Sequence, residues 1–96
     1  MNQTNRKELH DVRTIGQFMK NGRTRVLIRV IENEDGYRML DIRETYQAKD
    51  ATDGKWLPTR RGIAFKPKAA QDFLELLMQN REEILSLLRP TNVEQQ

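Results

Sequence analysis

The stretch RTRVLIRVIENEDGYRMLDIRETY, Arg23–Tyr46, decides the fold. In its first half Val26, Ile28 and Val30 alternate with Arg25, Leu27, Arg29 and Ile31. This two-residue period, rich in β-branched side chains, predicts a strand over Arg23–Glu32. Asn33-Glu34-Asp35-Gly36 then supplies turn chemistry, closing on an Asp-Gly pair that favours positive φ. Tyr37–Tyr46 reads as the returning strand, with Leu40 and Ile42 on one face and Met39, Asp41 and Arg43 on the other. One apolar and one charged face is the pattern of an antiparallel sheet with a solvated side.

The flanks extend this hairpin in both directions. Upstream, Ile15–Met19 has weaker strand character and adds a strand in front, while residues 1–13 are polar and aperiodic and predict a flexible tail. Downstream, Gln47–Thr59 reads as a long connection with a second Asp-Gly turn at Asp53-Gly54, and Ile63-Ala64-Phe65 as a short fourth strand. From Pro67 the period changes. Proline suits a first helical turn, where its missing N–H has no partner to lose, and Ala70, Phe73, Leu74, Leu77, Ile84, Leu85 and Leu88 recur at three- and four-residue steps. One amphipathic helix is expected, ending before Pro90, with a disordered tail over 90–96. The expected fold is α+β: a four-stranded antiparallel sheet followed by one C-terminal helix, in a single domain over residues 14–89. A helix longer than the sheet it covers leaves apolar area open. Phe73, Leu77, Ile84, Leu85 and Leu88 are therefore expected at a homodimer interface.

Composition narrows the function. The chain of 96 residues has no cysteine and one histidine, His10. That removes disulfides, thiol chemistry and cysteine-ligated zinc, and no metal or cofactor is expected. Without cysteine or a paired-carboxylate motif, nothing suggests an enzyme. No apolar run approaches the roughly 20 residues of a membrane span, and the N-terminal MNQTNRKELHDVR has no apolar core of a secretory signal. The expectation is an intracellular protein: nucleoid or cytoplasm in a bacterium, nucleus in a eukaryote. Net charge is +3, and the basic excess sits in the front two-thirds, at Arg23, Arg25, Arg29, Arg38, Arg43, Lys55, Arg60 and Arg61. Arginine's planar fork suits phosphate and base stacking better than lysine does. An arginine-rich half of this kind points to nucleic acid.

The segment WLPTRRGIAF, Trp56–Phe65, sharpens that reading. Adjacent arginines repel, and a Trp in a turn-rich segment has no evident core to fill. The bland alternative is a solvated pair beside a Trp that packs its own loop. The other is a site for something negative and flat. Single strands are gripped by a positive groove that follows the backbone together with aromatic faces that stack on bases. Arg60 and Arg61 fit the first role, Trp56 and Tyr46 the second.

DIRETY (Asp41–Tyr46), followed by GKWLPTRRGIAFKP (Gly54–Pro67) and an amphipathic helix, resembles the positive cofactor four transcriptional coactivator domain. The similarity covers roughly Ile15 to Leu88, and its most specific part is the basic pair followed by Gly-Ile. The resemblance implies a homodimer that binds single-stranded DNA or melted duplex across its sheets, with no catalysis. It also implies that Arg43 contacts DNA, that Tyr46 stacks on bases, and that Arg60 and Arg61 hold the backbone. Lys55, Trp56, Arg25, Arg29 and Arg38 complete the expected nucleic-acid surface. RNA is an alternative ligand, and the transcription machinery an expected partner. A different class of function is a protein-interaction adaptor whose dimer recruits transcription factors and whose basic surface is incidental.

Overall fold

The computed structural model describes residues 9–48 and 54–90. Four strands, β1 (Leu9–Asn21), β2 (Thr24–Asn33), β3 (Arg38–Gln47) and β4 (Trp56–Phe65), precede helices α1 (Pro67–Gln79) and α2 (Arg81–Leu88). The strands form one antiparallel sheet in the order β1-β2-β3-β4, so each pairs with its sequence neighbour. The β2–β3 turn follows its sequence. Gly36 adopts φ 87°, and the Asn33 side-chain oxygen accepts the backbone N–H groups of Asp35 and Tyr37 at 2.9 and 3.0 Å.

Three expectations are corrected. The first strand starts at Leu9, so residues 9–13, expected in a tail, pair with β2 instead. Register shifts near Val12, Ile15 and Lys20 scramble the alternation that would have advertised this strand. Cross-strand polar pairs, His10 with Glu32 and Asp11 with Arg29, hold its outer half. Second, β4 has ten residues, and Trp56–Thr59 belong to it rather than to the connection. Pro58 is tolerated because β4 is an edge strand. Third, the helical region is two helices meeting at Asn80. The Asn80 side chain donates to the Leu76 carbonyl at 2.8 Å, while its backbone N–H is shared between the Leu76 and Leu77 carbonyls. Asparagine competes for the backbone in this way, and a hydrophobic period that continues through the break conceals it. The expected tails over residues 1–8 and 91–96, and Asp53 of the second Asp-Gly pair, lie outside the described residues; Gly54 has φ 68°.

Strand pairing sorts the side chains onto two faces. One carries Phe18, Val26, Ile28, Val30, Leu40, Ile42, Ile63 and Phe65. Helix α1 covers part of it, with Phe73 stacked on Phe65 at 4.9 Å between ring centres. The covering is incomplete: an open cavity of about 550 Å³ remains, lined entirely by apolar side chains including Ile15, Phe18, Ile28, Ile42, Leu74 and Leu77. The opposite face carries Asp11, Arg25, Leu27, Arg29, Ile31, Asp41, Arg43, Thr45 and Trp56. The most buried residues belong to that charged face: Asp41 is 0% exposed, Ile31 3% and Thr45 5%. The expected dimer residues Ile84, Leu85 and Leu88 all remain exposed on α2.

Candidate functional site

The charged face is organised around Asp41, at the centre of β3. Its register partner on β2 is Arg29, whose Nε donates to Asp41 Oδ2 at 2.9 Å. Two residues further along β3, on the same face, Arg43 Nη2 donates to Asp41 Oδ1 at 2.6 Å. The chain of charge continues to β1, where Arg29 Nη1 donates to Asp11 Oδ1 at 2.8 Å. Burial pushes the Asp41 carboxyl upward, but hydrogen bonds from Arg43 and Arg29, with their positive charge, outweigh it and hold the group below the usual carboxylate range.

Gly62 makes the Arg43 position possible. It pairs with Arg43 across the β3–β4 ladder, and a Cβ built on it would meet the Ile42 carbonyl oxygen and lie 2.7 Å from the guanidinium carbon of Arg43. The guanidinium therefore occupies the space a side chain would need. Arg43 Nη1 also donates to the Arg60 carbonyl at 3.2 Å, which ties β3 to the segment carrying the basic pair.

That segment is a bulge. Arg43 pairs with Gly62 and Thr45 with Pro58, so Thr59, Arg60 and Arg61 together face Glu44 alone. Thr59 holds the bulge together: its hydroxyl donates to the Glu44 carbonyl at 3.0 Å and accepts the Arg61 backbone N–H at 3.0 Å. Arg60 and Arg61 are exposed, and among the described residues neither side chain has an ion-pair partner.

At the other end of the face, Arg25 lies over the Trp56 ring, with its guanidinium carbon 3.9 Å from the ring centre. This is a cation–π pair of close geometry. It leaves an arginine plane and an indole together on the surface.

The structure thus brings together Arg25, Arg29, Arg43 and Trp56, with Arg60 and Arg61 on the adjoining edge strand. Alternation puts Arg38 and Tyr46 on the opposite face, because they flank residues of the charged row. Arg38 pairs there with Glu32 at 3.1 Å. Glu32 is held below the usual carboxylate range by hydrogen bonds from Arg38 and then His10. Tyr46 is 42% exposed beside Leu57. Lys55 is exposed just ahead of β4.

Asp11, Asp41 and Thr59 shape the site, yet none was among the expected site residues. Asp41 had a signal, since Asp-x-Arg in a strand places both side chains on one face; Asp11 had none until the β1 register was known. Among the described residues, no group of His, Cys, Asp and Glu is arranged to hold a metal ion, and no helix is long and apolar enough to cross a membrane.

Residues 34–76, from the β2–β3 turn into α1, match the model of the family Transcriptional Coactivator p15 (PC4). Comparisons with curated proteins and with solved structures give no match.

Proposed function

We propose, from the premise that residues 34–76 match the model of the Transcriptional Coactivator p15 (PC4) family, that this chain binds single-stranded nucleic acid on its charged sheet face as a homodimer closed over the apolar one. One observation carries the reading: Trp56, the ring of a stacking platform with Arg25, shares β4 with the exposed Arg60-Arg61 pair, which has no ion-pair partner among the described residues. A ring that stacks on a base needs that base unstacked from its neighbours, which favours single strands or melted duplex over an intact helix. Phosphate contact and stacking do not read the 2′-hydroxyl, so RNA is a ligand on the same grounds.

The dimer rests on the apolar face. Phe18, Ile15 and Ile63 are 55%, 59% and 51% exposed in the single chain. At about 25 cal/mol per Å², covering a few hundred Å² contributes several kcal/mol, comparable with the whole stability of a small domain. In a transcriptional coactivator, such a dimer would hold melted DNA on its outer surfaces and leave its edges for protein partners.

The deciding experiment is anisotropy of labelled oligo-dT against protein at several salt concentrations. If about five phosphates are neutralised, log K falls by about 3.5 per decade of salt, at about 0.7 each. Binding no tighter than to duplex of equal length would defeat the single-strand reading.

A further inference from the structure

Asp11, Arg29, Asp41 and Arg43 form one connected row across three strands, through contacts of 2.8, 2.9 and 2.6 Å. Two carboxylates and two guanidiniums sum to zero charge. The middle of the face is therefore electrically neutral, although two of its side chains are arginines that sequence alone assigns to the cationic surface. Phosphate attraction has to come from the flanks, where Arg60 and Arg61 have no ion-pair partner among the described residues.

The Arg43 guanidinium has few donors left for a phosphate. Nη2 is bonded to Asp41 Oδ1 at 2.6 Å, Nη1 to the Arg60 carbonyl at 3.2 Å, and Nε lies 3.5 Å from Asp41 Oδ2. Its Cζ and Nε lie over Gly62, 2.7 and 2.9 Å from where a Cβ would stand. Yet 20% of the side chain stays open to solvent. A guanidinium with its edge engaged and one side on backbone offers its remaining side, and a flat cationic surface of that kind stacks on a nucleobase.

Resting on the single-strand reading above, we propose that Arg43 is a base-stacking subsite rather than a phosphate ligand. Asp41 is the residue that positions it, and the Asp11–Arg29–Asp41–Arg43 row is a neutral floor beneath the bases. The bound strand then crosses a surface with two kinds of contact: bases over Arg43 and over the Arg25–Trp56 pair, phosphates along Arg60 and Arg61.

Two variants test this with oligo-dT and a salt titration. Arg43→Lys keeps the charge and loses the plane; it should bind about tenfold more weakly, the cost of one stacked base, with the salt slope of wild type. Full affinity in Arg43→Lys overturns the assignment. Asp11→Asn, at the exposed end of the row, guards against a misfolded Arg43 variant. It leaves the floor with one positive charge, so binding should tighten and the slope should steepen toward one further phosphate, about 0.7. An unchanged slope there shows that the row was not neutralising Arg29, and overturns the neutral floor. Wild-type protein indifferent to oligonucleotides would instead remove the functional reading itself, and this assignment with it.

Discussion

Arg25 reaches across an entire strand to lie on Trp56. The two belong to β2 and β4, and β3 runs between them, with Thr45 and Gln47 as their register partners. Thr45 is 5% exposed and its hydroxyl donates to the Arg25 carbonyl at 3.4 Å. The platform is thus a tertiary product of three strands, joined from residues far apart in the chain. Trp56→Ala should weaken oligo-dT binding by about 1–3 kcal/mol with little change in salt slope, and Trp56→Phe should recover part of the loss. Isothermal titration at two salt concentrations measures both.

Arg60 and Arg61 should behave in the opposite way. Replacing both with Ala removes up to two phosphate contacts, so the slope of log K against log salt should shrink by up to about 1.4. Thermal stability should stay nearly unchanged, because neither side chain has an ion pair among the described residues. Unaltered slope in the double variant would move the phosphate path elsewhere.

Gly62 has no room for a side chain. Gly62→Ala should cost about 1–3 kcal/mol through overpacking against the Ile42 carbonyl and the Arg43 guanidinium. For a domain of this size that is a fall in melting temperature of about 4–8 °C per kcal/mol, readable by circular dichroism.

Acid should destabilise the protein through Asp41. Its folded carboxyl is held below the ordinary value, so its contribution is complete above the usual Asp pKa of about 3.9 and is lost as pH falls through the lower folded value. The melting temperature should therefore change little from pH 8 to 5 on account of this group, then drop below about pH 4. Asp41→Asn should melt earlier at neutral pH and show a shallower acid limb. Equal acid limbs in the two proteins would show that Asp41 is not the group responsible.

The apolar side makes its own prediction. Leu77→Asp places a charge in the open cavity beside α1, and Leu85→Asp places one on the exposed surface of α2. Either should convert the proposed homodimer to monomer in sedimentation equilibrium and abolish the dependence of melting temperature on protein concentration.

Much of this architecture was legible in Arg23–Tyr46. Its alternation and its Asp-Gly turn are local properties, so the hairpin and its two faces follow from sequence. The helical period and the basic pair after Trp56 were equally visible. The start of β1, the length of β4 and the break at Asn80 were not. Each depends on a register shift or a side-chain-to-backbone bond that leaves no period behind. The same limit applied to the site. Charge identified Arg29 and Arg43 as cations, and the Asp-x-Arg spacing already set Asp41 beside Arg43, but only the pairing of β1, β2 and β3 reveals that Asp11 and Asp41 both engage Arg29.

The bulge at Thr59–Arg61 has a numerical property with structural force. It sets three residues against one, an excess of two, and two is even. Side chains on either side of it keep their parity, so Trp56 and Pro58 emerge on the same surface as Gly62 and Ala64. Excising one residue from the bulge would turn Trp56 over, away from Arg25, and excising two would leave it in place. The length of this small detour is thus constrained to steps of two by the indole upstream of it.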